Sequence, residues 1–133
     1  MQIIALRDDV LRIRVGPGGA LPEDASWAVL PSSRTAAIPV TPELTITSVG
    51  FKTAKLHVTV QKDPLDLTVT DMAGHVIVAQ LPGRPIEYHG AAFRVYMKSP
   101  EDEHYFGLGD KPGPLDRRNE AFADWNTDYF GWQ

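Results

Sequence analysis

The residues richest in chemistry lie toward the end of the chain. In RRNEAFADWNTDYFGWQ, residues 117–133, the aromatics Phe122, Trp125, Tyr129, Phe130 and Trp132 are interleaved with Asp124, Asn126 and Asp128. This mixture suits sugar recognition: a ring stacks on the apolar face of a pyranose, while carboxylates and amides take its hydroxyls in directed hydrogen bonds. The same residue types also serve a purely structural end, with aromatics in a core and acids capping turns, and sequence order leaves both readings open. Just upstream, YFGLGD at Tyr105–Asp110 places two glycines one residue apart. Glycine there permits positive φ, so the chain is expected to turn sharply. KPGPLD at Lys111–Asp116 is a loop by composition, with two prolines removing backbone donors.

Elsewhere the candidates are weaker. His57, His75, His89 and His104 show no metal-ligand spacing and read as surface or hydrogen-bonding side chains. GPGG at Gly16–Gly19 looks like a phosphate cradle only superficially, because no helical pattern follows it. No Gly-x-Ser-x-Gly elbow is present, which removes support for a serine hydrolase. The chain has no cysteine, so it has no disulfide framework, thiolate metal site or cysteine nucleophile. A formal charge of -4 and a pI near 5.5 lack the basic footprint of a nucleic-acid partner. No apolar run approaches the ~20 residues of a membrane span, and Met1 opens no basic-then-apolar signal segment. The expectation is a soluble chain with no cofactor, no metal and no membrane or nucleic-acid partner.

Any site must be positioned by the elements before it, and there the dominant hydrophobic period is two. With 133 residues, 43% hydrophobic and 23% charged, the chain fits one folded domain. VLRIRV at Val10–Val15 alternates Leu11, Ile13 and Val15 with Val10, Arg12 and Arg14. ELTITSVGF reads as a strand with Leu44 and Ile46 inward. KLHVTVQK turns Leu56, Val58 and Val60 one way, and LDLTVT does the same with Leu65, Leu67 and Val69. DMAG at Asp71–Gly74 joins that run to HVIVAQL as a β-hairpin. AFRVYMK at Ala92–Lys98 is a further strand, rich in β-branched and aromatic residues. PEDASWAVL has the Pro22 and acids of a helix start, yet SWAVL before Pro31 reads as a short strand, and strand is the expectation. Short strands without intervening helices predict an all-β fold, an antiparallel β-sandwich. Its strands would occupy residues 1–103, with a loop region over 104–133.

Three pieces of the terminal block, FGLGD at Phe106–Asp110, LDRRN at Leu115–Asn119 and WNTD at Trp125–Asp128, together resemble the N-terminal domain of glycoside hydrolase family 31, the α-glucosidase and α-xylosidase family. Weaker likeness extends back through LRIRV and SWAVL. Asp110 departs from the glutamate that many members carry. The resemblance implies an incomplete galactose-mutarotase-like β-sandwich that supports a (β/α)₈ barrel. That barrel would hold an aspartate nucleophile and an aspartate general acid/base, so this chain would carry neither and be inactive alone. It implies that Asp128 reaches over the active site to hydrogen-bond the sugar, with Asn126 and Trp125 as supports. The partner would be an α-linked oligosaccharide such as a malto- or isomalto-oligosaccharide, hydrolysed with retention, in the cytoplasm or periplasm of a bacterium. The carboxylates of a retaining pair stand only ~5–5.5 Å apart, and Asp124 with Asp128 is not read as that pair. Two other functions fit a β-sandwich. One is a free-standing carbohydrate-binding module. The other is an aldose epimerase, which needs a His and a Glu facing one another, and no such pattern is evident. Surfaces left uncovered by an incomplete sandwich predict self-association.

Overall fold

The computed structural model describes residues 1–84, 86–90, 92–109 and 112–122. Chain contacts divide it into two units, residues 1–98 and residues 99–133. The first contains all of the regular structure described. Strands β1 (Gln2–Arg7) and β2 (Val10–Arg14) form an antiparallel hairpin. Strands β3 (Thr41–Leu44), β4 (Ser48–Lys52), β5 (Leu56–Gln61), β6 (Leu67–Asp71) and β7 (Val76–Ala79) make a five-stranded antiparallel meander in sequence order. Strands β8 (Glu87–His89) and β9 (Ala92–Arg94) form a third antiparallel pair. Among the described residues the helical content is one short helix, α1 (Pro31–Thr35), and a single 3-10 turn at Pro17–Gly19.

The core follows from the period-two pattern. Leu56, Val58 and Val60 of β5 and Leu67 and Val69 of β6 are buried on one face of the meander, and Val58 is 0% exposed. Met1, Ile3 and Leu11 of the β1–β2 hairpin, with Phe51, pack against that face. Two layers of antiparallel strands thus enclose an aliphatic core, each buried side chain contributing about 1.5–3 kcal/mol of transfer free energy. Polar ties fix the layers at one end. Thr53 Oγ1 donates to the Asp8 carbonyl at 2.7 Å, and Lys55 Nζ meets Asp9 at 2.7 Å. The all-β antiparallel sandwich is the fold expected from the sequence.

The β6–β7 hairpin also forms as expected. Asp71 Oδ1 accepts the backbone N–H of Ala73 at 2.8 Å and of His75 at 2.9 Å, and Gly74 supplies the positive φ of 92°. Four expectations need correction. ELTITSVGF is two strands, because Thr45 Oγ1 accepts from the backbone of Thr47 and Ser48 while Lys62 Nζ donates to the Thr45 and Ile46 carbonyls. This braced turn leaves Leu44 77% and Ile46 95% exposed instead of inward. Leu65 falls ahead of β6 and is exposed. AFRVYMK is strand only over Ala92–Arg94, followed by a single bridge between Met97 and Gln80.

PEDASWAVL, finally, is neither strand nor helix. Its path is set by arginines from elsewhere. Arg12 makes a two-pronged contact to Asp24, 2.6 Å on each prong, and Arg14 donates to the Pro22 carbonyl. Arg34 donates to the Ser26 carbonyl at 3.2 Å. Hydrogen bonding from Arg12 holds the Asp24 carboxyl at about 2, well below its ordinary 3.8. Trp27 stands fully exposed on this pinned segment.

Candidate functional site

The described part of the terminal block, residues 99–109 and 112–122, contains no helix or strand and is shaped by turns. Gly107, Leu108 and Gly109 have φ of 97°, 67° and 79°, three left-handed residues in succession. The glycines adopt that region freely, whereas Leu108 does so at a cost of about 1–2 kcal/mol. The sharp turn expected from FGLG is therefore present. It brings the residues before it back beside LDRRN.

Asp116 ties the two stretches together. Its Oδ1 accepts the backbone N–H of Tyr105 at 3.2 Å and of Arg118 at 3.0 Å, and its Oδ2 meets His104 Nδ1 at 2.6 Å. The His104 hydrogen bond, followed by the Arg118 N–H, holds the Asp116 carboxyl at about 2. The Arg117 N–H donates to the Tyr105 carbonyl at 2.7 Å. The Arg118 guanidinium gathers three carbonyls: Glu103 at 2.6 Å, Ser99 at 3.4 Å, and Pro100. Arg117 lies over the Phe122 ring at 5.2 Å. The Tyr105 hydroxyl donates to Glu103 at 2.5 Å. This segment encloses an open cleft of about 640 Å³ whose walls include His104, Tyr105, Phe106, Leu108 and Phe122. Its walls combine exposed rings with fixed polar groups, a lining that suits a polar ligand with apolar faces.

Trp125, Asn126 and Asp128, the residues expected to touch sugar, lie outside the described residues, as do Asp110 and Asp124. The pairing of His104 with Asp116 is missing from the sequence reading, since twelve positions separate the two and a turn of unusual backbone joins them. A second missed cluster lies on the outer face of the meander. Glu43 meets His57 Nε2 at 2.6 Å and Lys52 Nζ at 2.6 Å. Lys52 stands opposite His57 across β4 and β5, and Glu43 stands opposite Gly50. With no side chain on Gly50, Glu43 reaches both neighbours diagonally. The signal was available in the polar-face positions of Lys52 and His57, but not the register that joins them. A His and a Glu do face one another, contrary to expectation. They are hydrogen-bonded directly to each other, with Lys52 lowering the Glu43 carboxyl foremost. That contact leaves no gap for a substrate between them. His75 pairs with Asp71 at 2.8 Å, and His89 stands 3.7 Å from Glu87. Among the described residues no group of three His, Asp or Glu side chains is placed to hold a metal ion.

Comparison with known proteins places this chain. Residues 1–133 match the family described as the glycosyl hydrolase 31 N-terminal galactose mutarotase-like domain. The chain belongs to this family. An alpha-glucosidase 2 from Bacillus thermoamyloliquefaciens is 34% identical to this family 31 N-terminal domain over 128 residues, covering 93% of the domain and 16% of the relative. The structure of a GH31 dextranase variant from Flavobacterium johnsoniae, complexed with isomaltotriose, superposes with a TM-score of 0.82 at 22% identity. That alignment covers 95% of the domain and 16% of the dextranase, and it shows a common fold. The domain therefore spans 16% of the length of each of these relatives.

Proposed function

We propose that this family 31 N-terminal domain serves a retaining α-glycosidase that hydrolyses α-glucosides such as malto- or isomalto-oligosaccharides. The observation that carries this reading is the match along the whole chain, together with 34% identity to an alpha-glucosidase. The dextranase, complexed with isomaltotriose, supports an α-linked oligosaccharide as the ligand class. In this reading the domain supports a catalytic barrel supplied by further polypeptide. The nucleophile and the acid/base, the close carboxylate pair of a retaining mechanism, belong to that barrel.

This chain's own contribution is positioning. Asp128 accepts hydroxyl protons of the sugar beside the cleaved bond, Asn126 orients the carboxylate, and Trp125 shields the contact. Holding a pyranose in the reactive orientation accelerates the reaction without covalent participation. The Asp116 hub and the Arg118 guanidinium support the reading by fixing the segment from which Asp128 follows. The test is glucose release from maltose and isomaltose by the enzyme that contains this domain and its barrel. Asp128→Ala is expected to lower kcat/KM about 100-fold with an unchanged unfolding midpoint. An unchanged kcat/KM in that variant would remove Asp128 from the site.

A further inference from the structure

His104 lines the open cleft with its ring orientation already set. Asp116 accepts two backbone N–H groups and is ionised, so the short contact to His104 Nδ1 places the imidazole proton on that nitrogen. In that tautomer the lone pair lies on Nε2. Among the described residues Nε2 has no hydrogen-bond donor; the ring's polar contact is the Nδ1 bond to Asp116. Beside it lies Phe106, with ring centroids 6.3 Å apart and planes inclined by 27°. Phe106 is 64% exposed. An open aromatic face next to a fixed acceptor matches the two faces of a pyranose, apolar C–H groups on one and hydroxyls at the rim.

We propose that His104 and Phe106 form a sugar contact of their own, in which Phe106 stacks on a hexopyranose and His104 Nε2 accepts one of its hydroxyl protons. Asp116 is the positioning residue that selects the ring tautomer. The choice of sugar as ligand rests on the glycosidase reading; the tautomer and the paired rings do not.

The experiment records proton–nitrogen correlations of the histidine rings in the 133-residue chain during titration with maltose or isomaltose. The His104 Nε2 resonance should move saturably, while those of His57, His75 and His89 stay in place. Phe106→Ala, a change at an exposed ring, should weaken the apparent affinity about 3- to 10-fold. Asp116→Asn should move the ring proton from Nδ1 toward Nε2 and abolish the response, a signature that a merely structural role for Asp116 would not produce. No saturable movement up to about 50 mM of either sugar, where millimolar contacts saturate, overturns the proposal. So does a response that Phe106→Ala leaves intact. Asp128→Ala separates this contact from the one assigned to Asp128. A His104 response retained there supports an independent contact, and a response lost there means that the ring only reported sugar held elsewhere.

Discussion

Asp24 and Asp116 are both carboxylates held ionised by partners distant in sequence. Asp24 is held by Arg12, with Arg14 and Arg34 nearby, and Asp116 by His104 and the backbone of Arg118 and Tyr105. Each is depressed from 3.8 to about 2 in the folded chain. A depressed carboxyl contributes stability that is fully present above its unfolded value and is lost as pH falls through its folded value. The unfolding midpoint should therefore be flat above about pH 5 and fall between about pH 4 and 2. Asp24→Asn should lower the midpoint at neutral pH and flatten that acid limb. Melting followed by circular dichroism across pH 2–7 checks both, and an acid limb of wild-type steepness in the variant would show that Asp24 is not responsible. Neither aspartate could be singled out from sequence, because each is defined by groups 10 to 12 positions away, apart from the Arg118 N–H beside Asp116.

At the scale of elements, legibility tracks how local the deciding interaction is. β5 and β6 were readable because alternation and burial agree, and nothing in Leu56–Gln61 or Leu67–Asp71 competes with them. The β3–β4 turn was not, because a hydroxyl at Thr45 and an ammonium at Lys62 outweigh the apolar character of Leu44 and Ile46. Residues 22–30 were not, because arginines on β2 and α1 decide their path. The FGLG turn was readable because only glycine-rich sequence tolerates such backbone. Gly50 gives an element-level prediction. A Cβ there would lie 2.0 Å from the Val58 carbonyl oxygen, so β4 and β5 would have to separate. Gly50→Ala should cost about 3 kcal/mol, the upper end of the range for overpacking. Gly18→Ala meets no atom within 4 Å and pays only for its φ of 64°, about 1 kcal/mol. Urea denaturation of the two variants ranks them, and equal losses would show that the sheet relaxes around Gly50.

Across the whole molecule, the outer strands of the meander among the described residues are β3 and β7, and β7 is met only at its end, where the Lys98 N–H donates to the Ala79 carbonyl at 2.8 Å. On β7, Val76, Ile77 and Val78 are all exposed, a pattern that edge strands usually avoid with charge or proline. The 133-residue chain is expected to pair with a second copy along this edge at high concentration. Light scattering should then show mass rising with concentration, and Ile77→Lys should abolish the rise. A strictly monomeric wild-type chain would show instead that the edge is protected. The same scale limits what sequence could say about the site, because the chain spans 16% of the length of each of the relatives it matches.

The fully exposed indole of Trp27 has an optical consequence. Of the three tryptophans, it alone lies outside the terminal block, the others being Trp125 and Trp132. An indole bathed in water emits at long wavelength, and on a segment held by Arg12, Arg14 and Arg34 its signal is a constant background. Replacing it, as Trp27→Phe, confines the tryptophan emission of the 133-residue chain to the stretch that carries Asn126 and Asp128. The domain then becomes its own unlabelled reporter, in which any sugar that reaches that stretch is read directly as a change in colour or intensity.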